Sequence, residues 1–436
     1  MRTVNLSSIS PEERAALMKR NAVQFDDIRD SVSHIITQVK NGGDVAVQQF
    51  TEKFDGVRPD ELMMDVPEPD EINLPENVKN AFETAFRNIM RFHIPQKPVR
   101  IRVETMPGVF CARESRPIES VGLYVPGGTA VLPSTVLMLG IPALIAGCPN
   151  ILLATPPRKD GSVAPEVLFC ASLCGIKNIL KAGGAQAVAA MAYGTETVPK
   201  VDKIFGPGNQ YVTCAKMLLQ NSDALISIDM PAGPSEVLVI ADKFAEPEFI
   251  AADLLSQAEH GADSQAVLVT TSSELIPLVQ AEVQRQLNEL PRADVTKLAL
   301  ENSVIILADS LEEAFRFSNE WAPEHLIISI KNSRKWKSKI TNAGSVFLGK
   351  WSPESVGDYA SGTNHTLPTS GYARMFSGVS VDSFVKQITF QELTPDGLRE
   401  LGPDVEIMAK SEGLDAHRLA VTRRLNALKN EGGGDA

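Results

Sequence analysis

The sequence predicts an α/β protein with two consecutive units, each a parallel sheet covered by helices. Three observations carry this. The chain has 436 residues, more than a single domain usually holds. Short apolar runs at 121–125, 150–154, 178–182 and 203–205 alternate with helical stretches near 165–174, 185–193 and 209–220. The alternation then repeats, with runs at 237–241, 266–270, 303–307 and 325–330 and helices near 247–260, 274–289, 311–320 and 333–341. Strands interleaved with helices in this way form parallel sheets buried on both faces.

Elements outside the two series are helical. Ser10 is placed as an N-cap, Pro11 as the first helical residue and Glu13 as the reciprocal member of a capping box. A second helix is expected over 26–40, with Ile28, Val32, Ile35 and Val39 on one face and Gly42 as its stop. A third, over 75–93, carries Val78, Phe82, Ala85, Ile89 and Phe92 as its stripe. His34 and His93 lie on these helices without polar company and read as structural. The apolar run 131–148 is broken by Pro133, Gly140, Pro142 and Gly147, which fits a buried helix better than a membrane span. Beyond about residue 380 the chain reads as helical and charged, ending in a frayed Gly432-Gly-Gly-Asp-Ala436.

Composition narrows the function classes. Hydrophobic residues make up 43% and charged residues 22%, as in ordinary globular proteins. The net charge of −12 argues against nucleic acid or an anionic membrane as a partner, since both call for a basic surface. Five cysteines without a pair of CxxC motifs exclude a zinc ribbon and point to reduced thiols in a cytoplasmic setting. Residues 1–10 lack the apolar core of a signal peptide. Histidine chemistry has six candidates: His34, His93, His260, His325, His365 and His417.

Three glycine-rich turns follow expected strands: Tyr124-Val-Pro-Gly-Gly128, Ala182-Gly-Gly-Ala-Gln186 and Phe205-Gly-Pro-Gly-Asn209. Glycine lets backbone amides approach a ligand, and a following helix N-terminus favours phosphate. None is a complete GxGxxG, so each alone is more often just a tight βα turn, and only the three together bring a nucleotide role to equal weight. Gln257 and His260 stand three apart near a helix end, where they could share a ligand or where the histidine could simply meet the helix dipole. In Trp321-Ala-Pro-Glu-His325, Pro323 keeps the backbone extended and sets Glu324 and His325 at a strand mouth, where a histidine can move protons and a carboxylate can activate water. The stretch 356–365 reads as a polar loop, too irregular for a helix, holding Asp358 and His365. Near the C-terminus, Asp415 is expected to cap a last helix, with Leu414 and Leu419 as a staple, His417 in the first turn and Glu412 just before it. Cys170 and Cys174, four apart on a helix, read as small core residues.

Taken in order, these segments resemble the L-histidinol dehydrogenase family over residues 25–430 or so. The matching runs are Val121-Gly-Leu-Tyr-Val-Pro-Gly-Gly128, Val201-Asp-Lys-Ile-Phe-Gly-Pro-Gly-Asn209, Asp229-Met-Pro-Ala-Gly-Pro-Ser-Glu236, Ser256-Gln-Ala-Glu-His-Gly261, Ala322-Pro-Glu-His-Leu326 and Ser352-Pro-Glu-Ser-Val-Gly-Asp-Tyr-Ala-Ser-Gly-Thr-Asn-His365. The resemblance implies two incomplete Rossmann-like units with small helical N- and C-terminal segments. The domains would be residues 1–22, a larger α/β domain of 23–123 with 237–380, an NAD-binding domain of 124–236 and a C-terminal segment 381–436 that reaches a partner subunit. It implies a zinc-containing, NAD-dependent alcohol/aldehyde dehydrogenase that oxidises L-histidinol to L-histidine through histidinaldehyde, the last step of histidine biosynthesis. By the same resemblance, one zinc per subunit would be held by Gln257, His260, Asp358 and His417, and would orient the substrate. His325 would be the general base and Glu324 would activate water. Ser235, His365 and Glu412 match substrate-binding positions, and Gln257, His260, His325, Asp358 and His417 would also touch substrate. Tyr124, Gln186 and Asn209 match NAD contacts. The family implies an intertwined homodimer in which Glu412 and His417 come from the other subunit. Trp321 departs from the tyrosine or similar ring expected there, and Cys111 and Cys148 sit at family cysteine positions with no chemistry assigned.

Three other readings stay open on the residues alone. A zinc hydrolase would use the same ligands to lower the pKa of water and would work without NAD. A thiol aldehyde dehydrogenase would need a nucleophilic cysteine in a loop, for which helical Cys214 is a poor fit. A non-catalytic nucleotide-binding protein would leave Glu324, His325 and the 356–365 loop without a role.

Overall fold

The computed structural model describes residues 1–20, 25–127 and 131–431. Gly128 of the first glycine-rich turn, the expected boundary at 22–23 and the 432–436 tail lie outside them. The chain divides into two compact units: residues 1–96 with 118–384, and residues 97–117 with 385 onward.

The first unit contains both expected parallel sheets. One has the spatial order Met63–Asp65, Asn178–Lys181, Asn150–Thr155, Ser120–Tyr124, Lys203–Phe205 and Ser227–Ile228. Its pairings are parallel except for the short edge strand Met63–Asp65. Successive side chains leave a strand on opposite faces. Leu123, Leu153, Ile179 and Phe205 therefore join the cluster of the helix Pro133–Ala146, whereas Tyr124, Leu152, Leu180 and Ile204 join that of Gly184–Tyr193. The run expected to be a buried helix is one, with Pro142 inside it.

The second sheet runs Arg2–Asn5, Val304–Leu307, Gln265–Thr270, Glu236–Ala241, His325–Ser329 and Ser345–Leu348, with parallel pairings between the neighbouring strands. Val237, Val239 and Ile327 face the side of the helices Pro247–Ala258 and Leu275–Leu287. Leu238, Ile240 and Ile328 face Phe315, Phe317 and Trp321 of the helix Leu311–Trp321.

Several elements differ from expectation. Arg2–Asn5 is an edge strand, although its mostly exposed side chains show no apolar pattern. The helix expected over 26–40 spans Phe25–Asp55 with a break at Gly43 (φ 54°, ψ −141°), so the chain turns there and resumes a helix instead of stopping. On Glu76–His93 the buried end of the stripe is His93, whose Nδ1 lies 3.0 Å from the Ile89 carbonyl oxygen, while Phe92 is exposed. The stretch 333–341 is a 3-10 helix, Ser333–Lys339, and the helix Ala293–Glu301 and strand Ser345–Leu348 complete the series. The capping box at Ser10 and Glu13 forms as expected on Pro11–Met18.

The second unit is a three-stranded antiparallel sheet, Val385–Leu393, Val109–Pro117 and Ile101–Met106, with helices Pro395–Ser411 and Asp415–Glu431. The C-terminal part expected to be helical from about 380 thus begins with a nine-residue strand. Its residues are mostly exposed on both faces, which removes the alternation by which a strand is read. Only its long-range pairing with 109–117 defines it.

Candidate active site

The carboxyl edge of the first sheet faces the amino edge of the second across a cavity of about 270 Å³. Pro126, Pro207 and Asn209 follow strands of the first sheet; Ser235, Glu324 and His325 precede or open strands of the second. The expectation of a strand mouth is therefore met at the amino end of His325–Ser329, opposite to the carboxyl end where α/β sheets usually bind ligands. The helix Leu311–Trp321 stops at Ala322, which takes a left-handed conformation (φ 52°), and Pro323 then extends the chain into Glu324 and His325. Gly344 lies so close behind that a Cβ there would sit 2.6 Å from the Glu324 carbonyl oxygen.

His325 is 3% exposed and stands between two carboxylates. Its Nε2 is 3.1 Å from Asp358 Oδ1, and its Nδ1 is 3.6 Å from Glu324 Oε2. Burial works against a charge on the imidazole, but Glu324, Glu354 and Asp358 outweigh it and lift its pKa to about 10. Burial pushes Glu324 up to about 8, against the opposing pull of His325. For Asp358 burial again acts upward, but the hydrogen bond from His325 and the nearby histidines hold it low, at about 2. A histidine and a carboxylate with protonation equilibria displaced in this way can exchange protons with a third group placed in the cavity. His365 can donate from Nδ1 to the Asp358 carbonyl oxygen at 2.8 Å, leaving Nε2 to accept the Thr135 hydroxyl at 3.1 Å.

Asp358 lies on a short helix, Glu354–Tyr359, and not in the irregular loop expected for 356–365; the irregular part begins at Ala360. One turn earlier on that helix, Glu354 is 1% exposed. Ligand atoms of His260, Glu354 and Asp358 all lie within 4.8 Å of one another. With its amide nitrogen toward Glu354, Gln257 donates to both carboxylate oxygens at 2.9 and 2.7 Å, which leaves the amide oxygen available as a ligand. Imidazole and carboxylate atoms gathered in this way suit a divalent cation such as zinc, so His260 and Asp358 fit the metal expected of them, and the Gln257 amide oxygen is free to join them. Burial lowers the His260 pKa, favouring the neutral ligating form, with Asp358 acting against it.

A second cavity, about 670 Å³, is lined by Tyr124, Gln186, Asn209 and by His34, Phe50 and Asp55 of the kinked helix. Asn209 lines both cavities. The Tyr124 hydroxyl accepts the Gly184 N–H at 3.0 Å, and Asn209 caps Gln210–Gln220 through Tyr211 N and Val212 N. Gln186 is 1% exposed, and neither polar atom of its amide has a partner among the described residues. A buried amide left unpaired is costly unless a ligand satisfies it, so this side chain fits a dinucleotide. His34, read as structural, faces this cavity, edge-on to Phe50.

The family model of histidinol dehydrogenase matches residues 18–425. The chain belongs to the histidinol dehydrogenase family. A chloroplastic histidinol dehydrogenase of Arabidopsis thaliana is 57% identical over 98% of this chain and 92% of its own length. The histidinol dehydrogenase of Bacteroides thetaiotaomicron is 54% identical over 96% and 98%. The crystal structure of histidinol dehydrogenase from Elizabethkingia anophelis superposes with a TM-score of 0.93 at 51% identity, covering 98% of this chain and 99% of that one.

In this member of the histidinol dehydrogenase family, Ser235, Gln257, His260, Glu324, His325, Asp358 and His365 all line the smaller cavity. Glu412 and His417 belong to the second unit and are exposed. Glu412 closes Pro395–Ser411, and His417 lies in the first turn of Asp415–Glu431, as expected. Asp415 is the first residue of that helix, and its carboxylate accepts from Arg418 Nε at 2.9 Å. Sequence reasoning passed over Glu354, whose signal was its i, i+4 spacing from Asp358 inside a quoted motif. It also passed over Glu236, which exchanges hydrogen bonds with Glu324, and Arg20, which pairs with Glu236, because only the fold creates these contacts. All five cysteines are unpaired and no described cysteine lines either cavity. Burial raises the thiol pKa of Cys148, Cys170, Cys174 and Cys214, which leaves the thiol mechanism without a nucleophile there. Among the described residues no helix is long and apolar enough to cross a membrane.

Proposed function

We propose that this protein oxidises L-histidinol to L-histidine in two NAD-dependent steps through histidinaldehyde, the last step of histidine biosynthesis. Family membership supports the reaction. One observation carries the assignment of roles: His325 bridges Asp358 and Glu324 in a cavity that shares Asn209 with a second cavity of cofactor size.

Gln257, His260, Asp358 and the partner's His417 would hold a zinc ion, whose charge would orient the imidazole and amino nitrogens of the substrate. Tyr124, Gln186 and Asn209 would seat NAD, which supplies the hydride acceptor for each oxidation. Ser235, His365 and the partner's Glu412 would complete the substrate site. With Asp358 committed to the metal, His325 would lose part of the charge that keeps it protonated, and in its neutral form it would take the hydroxyl proton as the first hydride leaves the alcohol carbon. Glu324, in its ionised form, then takes a proton from the water that adds to the aldehyde carbonyl, and His325 returns its proton to the former carbonyl oxygen, which leaves it free to act again. His325 takes the hydrate proton as the second hydride leaves, and the carboxylate of L-histidine results.

The dimer has independent support. In the second unit only Val109 and Ala409 are buried hydrophobic residues among those described, while Phe390, Ile407, Met408, Leu414 and Leu419 are exposed. So small a core and so much exposed apolar surface suit a unit completed by a second chain. Five unpaired thiols fit the cytoplasm.

Purified protein supplied with zinc, NAD and L-histidinol is expected to yield L-histidine with two NADH per substrate. Absence of turnover in folded, zinc-loaded dimer would overturn the reading.

A further inference from the structure

Glu324 is held from behind by buried charges that the mechanism above does not use. Glu236 opens the neighbouring strand, and the two residues exchange hydrogen bonds. Glu236 N donates to Glu324 Oε2 at 2.9 Å, and Glu324 N donates to Glu236 Oε1 at 3.3 Å. The Glu236 carboxylate is 2% exposed, a position in which an unpaired charge is very costly. Arg20, distant in sequence, supplies the partner: its Nε is 2.7 Å from Oε2 and its Nη2 3.4 Å from Oε1. The same Nη2 donates to the Trp321 carbonyl, and the guanidinium lies 3.4 Å from the centroid of the Trp321 ring. Trp321 ends its helix, and only Ala322 and Pro323 separate it from Glu324.

One planar cation thus grips the carboxylate beside Glu324 and the carbonyl three residues before it. Replacing a buried ion pair by apolar residues is often neutral for stability, so stability alone does not call for this arrangement. A lysine could not reproduce it, because an ammonium lacks the fork and the flat face.

We propose that Arg20 is a positioning residue for the second oxidation: by clamping Glu236 and the Trp321 carbonyl, it sets the Glu324 carboxylate toward the attacking water. This rests on the reading of Glu324 as the group that activates water. Glu324 touches His325 in both oxidations but meets water only after the aldehyde has formed, so loss of Arg20 weighs more heavily on the second half-reaction.

The test compares wild type, Arg20→Ala, Arg20→Lys, Glu324→Gln and the double variant Arg20→Ala/Glu324→Gln as zinc-loaded dimers. Each receives NAD with L-histidinaldehyde, and separately L-histidinol for the first-turnover burst of NADH. Expected for Arg20→Ala is a fall of about tenfold or more in kcat for the aldehyde, with KM for aldehyde and NAD within about twofold and a clearly smaller fall in the burst rate. Methylguanidinium restores part of the loss, whereas methylammonium does not. The double variant is no slower than Glu324→Gln alone, because both substitutions act through one group. Arg20→Lys carries the same comparison if the alanine variant does not fold, with the larger loss again expected for the aldehyde. Equal losses in both half-reactions, an additive double variant or unchanged aldehyde turnover would overturn the role of Arg20. Full aldehyde turnover by Glu324→Gln would instead overturn the reading of Glu324, and the positioning role with it.

Discussion

His325 draws its chemistry from what flanks it: Glu324 on one ring nitrogen and Asp358 on the other, in a site with almost no exposure. His325→Ala is expected to lower kcat by about 10²–10⁴-fold while zinc content stays at one per subunit; loss of the metal would mean that base and ligand are interchanged. A second residue with a displaced equilibrium lies away from this set. Burial pushes the Asp55 carboxyl up to about 6, and its Oδ2 has no partner among the described residues. A folded pKa above the unfolded value favours folding at low pH, and that contribution is lost as pH rises through about 6. Asp55→Asn should therefore gain stability relative to wild type at pH 8 compared with pH 5, read from urea midpoints at the two pH values. Residue identities at this scale were legible because Glu324, His325, Asp358 and His365 stand in long polar motifs. The pairing of Glu354 with Gln257 was not, because it joins a helix end to a helix start about a hundred residues away.

At the scale of elements, two short structures hold the chemistry in place. The helix Glu354–Tyr359 puts Glu354 and Asp358 on one face, so Glu354 holds the Gln257 amide while Asp358 meets His325 and His260. Glu354→Ala is expected to weaken zinc affinity by about 10–100-fold with the circular dichroism spectrum unchanged, a loss visible by competition with a chelator. The turn after Lys203–Phe205 is pinned by the buried pair Lys216 and Asp229. Lys216 Nζ donates to the Gly206 carbonyl oxygen at 2.8 Å, and Asp229 Oδ2 accepts the Gly206 N–H at 2.8 Å. Gly206 itself has φ 122°, and a Cβ there would lie 2.1 Å from the Tyr124 carbonyl oxygen. Lys216→Met leaves Asp229 buried without its cation, so denaturant unfolding should register a loss of about 3–5 kcal/mol. The glycine-rich turns were legible as turns; what restrains them was not, since Lys216 and Asp229 look like ordinary surface charges in the sequence.

For the whole molecule, the proposed assembly makes each site depend on two chains. Subunits carrying His325→Ala and subunits carrying His417→Ala should each be nearly inactive alone. After mixing and exchange, half the dimers are mixed and one site in each is intact, so roughly a quarter of wild-type activity should return. Kinetics on mixtures verified by mass spectrometry would check this, and verified mixed dimers without activity would rule out sharing. The exposed apolar residues of the second unit lead to the same expectation, because a unit that buries so little of its own surface gains stability by association.

What the sequence determined by itself is the local and the periodic. Apolar runs alternating with helices specify two parallel sheets, and the capping signals at Ser10, Pro11 and Glu13 specify where the first helix starts. Its ordered motifs also suffice for the family. Tertiary structure alone decided three things: that the carboxyl edge of one sheet faces the amino edge of the other, that the polar strand Val385–Leu393 pairs with Val109–Pro117, and that Arg20 reaches Glu236. The physical reason is common to all three. Each depends on contacts between residues far apart in the chain, whose energy comes from pairing and burial in the folded molecule and leaves no period or cap in the local sequence.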